Sequence, residues 1–252
     1  MRTGNDAGVS ALIPGETPGP PVEAEVLSDG AALAARAADL VADKLAEAID
    51  ARGRATLAVS GGSTPAAFLA ELAQRKLPWE AVHVFQVDER VAPPGDADRN
   101  LTGLRRALLD RVPIPVGNVH PMPVDERELD AAAAAYGEEI RSVTGPDGVL
   151  DVVHLGVGDD GHTASWPPGD PVVDAREDTA IVGPFNGRIR MTLTPPAVNR
   201  AGWIMWLIAG AAKAPVVARL LAGDPAIPAS RVRRHDVTLL ADAAAGADLT
   251  KG

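Results

Sequence analysis

Apolar residues fall along the chain in two kinds of run, short continuous stretches and longer stretches with helical spacing. The short runs at 22–27, 55–59, 82–87, 150–155, 203–209 and 237–240 predict strands. Segments 31–51, 65–76, 101–110, 127–143 and 211–222 predict helices; in the first, Leu33, Ala37, Leu40, Val41 and Leu45 share a face. Ser28-Asp29 stands where an N-cap belongs, and Pro65 sits in the first turn of the next helix. Segment 112–123 holds four prolines and predicts irregular chain with a short extended piece. Two further strands are expected at 180–182 and 190–193, and a short helix behind the last strand. Strands alternating with helices predict an α/β fold, with a parallel sheet covered on both faces. There is no internal repeat and no mid-chain linker, so 22–252 is expected to form a single domain. The Gly- and Pro-containing segment 1–21 is expected to be a disordered leader.

Composition narrows the classes of function. The chain has 252 residues, with 24 Lys and Arg against 34 Asp and Glu, a formal charge of −10. That balance disfavours nucleic acid and anionic membrane as partners. An anionic ligand would need a local basic pocket set against the overall field. There is no cysteine, so disulfides, thiolate nucleophiles and cysteine-ligated metals are excluded. No apolar run is long enough to be a membrane span or signal segment, and a cytoplasmic location is expected.

The chemistry collects where predicted strands end, which is where open parallel sheets bind ligands. Ser60-Gly61-Gly62-Ser63-Thr64-Pro65 follows one strand and opens a helix, whose first N–H groups form a ready anion site. Asp88-Glu89-Arg90 follows the next, and Gly210-Ala211-Ala212-Lys213 follows another. Leu150 to Leu155 runs into Gly156-Val157-Gly158-Asp159-Asp160-Gly161-His162-Thr163-Ala164-Ser165. That loop combines glycines, two carboxylates and His162, the side chain best suited to moving protons near neutral pH. Its G-x-G-x-x-G spacing resembles a dinucleotide fingerprint, but Trp166-Pro167-Pro168 leaves no room for the required helix. Neither a Walker P-loop nor a G-x-S-x-G elbow is present, and His83, His120, His154 and His235 have no metal-ligand spacing. His154, inside a predicted strand, is expected to be a satisfied core residue.

Taken together, these motifs resemble the lactonase branch of the glucosamine-6-phosphate isomerase/6-phosphogluconolactonase family, from about Val22 to Leu249. The carriers are the Ser60 to Pro65 turn, Asp88-Glu89-Arg90 with Asn100, and the His162 loop. Arg190-Met191-Thr192-Leu193-Thr194 and Gly210 to Lys213 complete the set. The resemblance implies a modified doubly wound, Rossmann-like, mainly parallel sheet. It also implies hydrolysis of 6-phosphogluconolactone in the pentose phosphate pathway, without metal or cofactor. By similarity His162 would be the general base for water, helped by one carboxylate of the Asp159-Asp160 pair or by Asp88. Gly158 would sit against the sugar. Arg190 and Lys213, with Gly61, Gly62, Ser63 and Thr64, would hold the 6-phosphate, and Arg90 and Asn100 would line the sugar side. The partner is then a small phosphosugar lactone, and the protein a monomer or small homo-oligomer.

Two departures stand out. Arg99-Asn100 replaces the family's usual Ser-Asn, placing a charge beside a sugar-lining residue, and Trp166-Pro167-Pro168 replaces Leu-Phe-Pro. Deaminases of the same fold typically carry Asp-Glu-Tyr at Asp88-Glu89-Arg90 and Ile-Ala-Phe-Asn after the histidine; both differences favour the lactonase. A noncatalytic sugar-phosphate-binding regulator is the remaining alternative, and 1–21 is too short for the DNA-binding module such proteins append.

Overall fold

The computed structural model describes residues 22–249; the leader expected at 1–21 lies outside them. In chain order, β1 (Glu23–Leu27) leads through α1 (Gly30–Arg52) to β2 (Ala55–Val59) and α2 (Ser63–Leu72). Strands β3 (Val82–Gln86) and β4 (Asp88–Arg90) precede α3 (Asn100–Leu104), β5 (Val119–His120) and α4 (Leu129–Thr144). Then come β6 (Val152–Leu155), the hairpin β7 (Thr179–Phe185) and β8 (Arg188–Leu193), and α5 (Pro195–Asn199). The chain closes with β9 (Trp203–Ile208), α6 (Ala214–Ala222) and β10 (Val237–Asp242).

Seven strands form one sheet in the order β1-β10-β9-β6-β2-β3-β5, every pairing parallel. Its central strands are buried throughout because successive side chains serve opposite layers. Leu57, Val59, Val84 and Val152 join a core with Leu33, Val41 and Leu45 of α1 and Phe68 of α2. The alternate residues Ala58, Phe85 and Val153 face a second core with Tyr136 of α4 and Val217 of α6. The doubly wound, helix-covered parallel sheet is therefore observed.

Helix α1 starts where expected: Asp29 accepts the N–H groups of Ala31 (2.9 Å) and Ala32 (2.8 Å), and Gly53 ends it at φ 74°. Other expectations need correction. Asp88-Glu89-Arg90 is not a loop but β4, which pairs antiparallel with β8 in a separate sheet ordered β4-β8-β7. The 101–110 helix is α3 followed by a wider π turn, Arg105–Leu109, closed by Asp110 N–H to Arg105 C=O at 3.0 Å. No helix follows β10 among the described residues. Asp242 caps a turn there instead, taking the Ala245 N–H at 2.7 Å. Among the described residues no helix is long and apolar enough to cross a membrane.

Candidate active site

The segments that follow β2, β6 and β9 meet β4 and β8 around a cavity of about 210 Å³. Its wall includes Gly61, Asp88, Arg90, Asn100, Gly158, His162, Arg190 and Lys213, drawn from well-separated stretches of chain. Gly62 lies off this wall, in an adjoining cavity of about 220 Å³ that shares Ser60, Gly61, Arg90 and Asn100. Ser63 and Thr64 line neither cavity, and the Ser63 side of the turn is exposed. No side chain caps α2, whose N-cap is Gly62.

The 156–165 loop is closed on itself. Gly158 N–H donates to His162 C=O at 2.8 Å, Gly161 N–H to Gly158 C=O at 2.9 Å, and Thr163 Oγ1 to Gly156 C=O at 2.8 Å. This turn seats the imidazole: His162 Nδ1 lies 2.5 Å from Asp160 Oδ1, which also accepts the His162 N–H at 3.1 Å. An ionised carboxylate only accepts, so Nδ1 carries the proton and Nε2 presents a lone pair. Partial burial works to raise the Asp160 pKa, but the His162 N–H and ring outweigh it and hold the carboxyl below its usual range. The ring edge packs on Phe185, with centroids 4.9 Å apart.

The loop glycines serve this packing. A Cβ on Gly158 would lie 2.0 Å from His162 Nδ1 and 2.7 Å from Asp160 Oδ1. One on Gly161, at φ 87°, would strike Ile227 at 2.4 Å. At Gly61 the intruding group is Asn100 Oδ1, 1.9 Å from where a Cβ would stand. Glycine here makes room for protein side chains.

Asp88 is buried and does not touch the imidazole. It accepts Ser165 Oγ–H (2.7 Å) and Asn100 Nδ2–H (3.2 Å) and pairs with Arg190 NH1 at 3.6 Å. Burial pushes its pKa up, against Ser165, Arg90 and Arg190, which pull it down. Arg190 lies over the Phe185 ring at 5.2 Å, and burial, then repulsion from Arg90, lowers its pKa. Two guanidiniums and an ammonium on one wall form a local basic site within a chain of net charge −10.

The carboxylate next to Asp88 is committed to structure. Glu89, fully buried, accepts the N–H groups of Arg90 (2.7 Å), Asn100 (2.7 Å) and Leu101 (2.8 Å), so it caps α3 and holds two cavity residues. Arg99 turns inward to it, with Nε 3.3 Å from Glu89 Oε2 and NH1 2.8 Å from Asp125. Its charge is thereby matched rather than added to the sugar side. Trp166 is buried, donating Nε1–H to Leu193 C=O at 2.7 Å. Ser60 Oγ donates to His154 C=O at 3.1 Å, and His154 Nδ1 accepts the Ser60 N–H at 3.3 Å. His154 Nε2 has no partner among the described residues, so this core histidine is only half satisfied. Phe185 and Ser165 are site neighbours that sequence reasoning missed. Only an apolar residue at a hairpin end and a hydroxyl shortly after a glycine-rich loop's histidine marked them.

Comparison with known proteins places the chain in a family. The family model for glucosamine-6-phosphate isomerases/6-phosphogluconolactonase matches residues 28–241. A 6-phosphogluconolactonase of Nostoc is 41% identical over 234 residues, 90% of this chain and 98% of its own. The Mycobacterium tuberculosis 6-phosphogluconolactonase is 36% identical over 242 residues, 89% of this chain and 97% of its own. The crystal structure of 6-phosphogluconolactonase from Thermotoga maritima superposes with a TM-score of 0.79 at 28% identity, covering 87% of this chain and 98% of that one. A monomeric glucosamine-6-phosphate deaminase superposes as well (TM-score 0.80) at 20% identity, which shows the shared fold alone. On the motifs, the sheet order and these matches, the chain belongs to the glucosamine-6-phosphate isomerase/6-phosphogluconolactonase family.

Proposed function

We propose that this chain hydrolyses 6-phospho-D-glucono-1,5-lactone to 6-phosphogluconate. The observation that carries the reading is that His162, held by Asp160, lines the same small cavity as Arg90, Arg190 and Lys213. A base poised for water and a cluster of cations suit an ester whose far end is a phosphate. The names of the Nostoc, mycobacterial and Thermotoga relatives agree.

In this mechanism Nε2 of His162 takes a proton from water as its oxygen bonds to C1 of the lactone. Asp160 keeps the ring in the required tautomer and stabilises the imidazolium that forms. The tetrahedral adduct then collapses, breaking the bond between C1 and the ring oxygen. That oxygen leaves as a hydroxyl after taking the proton back from Nε2. Base assistance of this kind contributes about 10²–10⁴-fold. Arg190 and Lys213 hold the phosphate, a dianion that relieves the mutual repulsion of the Arg90 and Arg190 guanidiniums. Arg90 and Asn100 border the sugar, with Gly61 of the turn before α2 on the same wall.

The test is hydrolysis of freshly prepared lactone above its spontaneous rate by the purified protein. His162→Ala is expected to lower kcat at least ~10²-fold while 6-phosphogluconate still binds. Full turnover in that variant overturns the base assignment. Ammonia release from glucosamine 6-phosphate, without lactone hydrolysis, overturns the whole reading.

A further inference from the structure

Lys213 does not face the cavity unpaired. Its Nζ lies 2.6 Å from Asp159 Oδ1, and the two side chains are 27% and 68% exposed. Asp159 is absent from the cavity wall, while its neighbour Asp160 holds the catalytic imidazole. Adjacent carboxylates of one closed turn therefore serve the two halves of the site. Lys213 stands at the N-cap of α6, where the helix dipole opposes a cation and an anionic partner is favoured. Asp159 makes no other side-chain hydrogen bond or ion pair among the described residues.

We infer that Asp159 is an internal counter-ion that the substrate's phosphate displaces, so that this residue sets the affinity of the phosphate end. The inference rests on the reading of Lys213 as a phosphate ligand. An exposed ion pair of this kind is weak, and a phosphate dianion that also meets Arg190 outcompetes a single carboxylate. Asp159 opposes phosphate binding twice, by occupying Lys213 beforehand and by repelling the dianion afterwards. Gluconate presents only a hydroxyl at C6, so at that end it offers Lys213 no anion in exchange and leaves the pair closed. The arrangement moderates affinity for the phosphorylated product, which must leave before the next turnover.

The experiment measures binding of 6-phosphogluconate and of gluconate to the wild type, Asp159→Asn, Lys213→Ala and the double variant. Asp159→Asn is expected to bind 6-phosphogluconate roughly threefold to tenfold more tightly, with gluconate unchanged. In the Lys213→Ala background the same substitution is expected to gain less than half of that. Unchanged or weaker binding by Asp159→Asn overturns the inference, and weaker binding assigns Asp159 to holding Lys213 in place. If Lys213→Ala itself binds 6-phosphogluconate as the wild type does, the phosphate reading falls, and the counter-ion with it.

Discussion

The His162 ring is fixed by three groups at once: Asp160 on Nδ1, Phe185 on its edge and the bare Cα of Gly158 beneath it. Two of these predict distinct losses. Asp160→Asn still offers a hydrogen bond but cannot stabilise an imidazolium, and its amide can donate to Nδ1 and expose the wrong tautomer. It is expected to lower kcat roughly 10- to 10²-fold with little change in 6-phosphogluconate affinity; steady-state kinetics beside a binding titration check this. Gly158→Ala places a methyl 2.0 Å from Nδ1, so the ring must move. Comparable kcat loss is expected with the fold intact by circular dichroism, because only the tip of a loop shifts. Normal kcat in the Gly158→Ala enzyme would mean that the ring position is not limiting. At this scale His162 was legible in the sequence from its residue type and surroundings. Its partner was not, since Asp159 and Asp160 are adjacent and only the closure of the turn sends one to Lys213 and the other to the ring. The glycines were legible as sites of close approach, but what approaches them is protein.

Six of the seven strands of the parallel sheet were legible to within two residues, the central ones because a strand buried on both faces writes a largely apolar run. Strand β5 was legible only as a short extended piece within 112–123. Strand β4 was not, being three polar and charged residues whose partner, β8, lies far along the chain. Its pairing lifts Asp88 and Arg90 onto the cavity wall and turns Glu89 inward, the alternation expected of a strand. Glu89 then ties β4 to the first turn of α3. Glu89→Ala strands three backbone N–H groups and leaves Arg99 buried with only Asp125 for a counter-charge. Removing one member of such a buried pair costs about 3–5 kcal/mol. A urea midpoint lowered accordingly is the expected outcome, with KM for the lactone raised in whatever folds, because Arg90 and Asn100 lose their common anchor. A variant as stable as the wild type would show that Asp125 alone suffices for Arg99.

Across the whole molecule, a net charge of −10 repels a phosphosugar only over distances that physiological salt screens, about 8 Å. On the proposed reading, three cations on one wall decide binding locally, while charge elsewhere bears on solubility. Stability has a global pH term centred on His154, at the middle of the sheet between β2 and β9. Burial pushes its pKa down to about 3, and the ring is wedged against Phe68 with Nε2 unpartnered among the described residues. The folded protein thus keeps His154 neutral down to that pH, whereas the unfolded chain takes up the proton near ~6.5. Between those values the unfolded state binds more protons, so stability falls as pH falls, by up to about 1.4 kcal/mol per unit. His83, with its pKa lowered by burial, adds to the same trend and is unaffected by changes at 154. Glutamine at 154 does not titrate and keeps an acceptor for the Ser60 N–H. From about pH 6.5 to about pH 5.0 the wild type is expected to lose about 1.6 kcal/mol more than His154→Gln. Denaturant unfolding at the two pH values measures this directly. Curves that fall in parallel would mean that His154 accepts its proton inside the fold, and that the sheet's centre is more open to water than its packing implies.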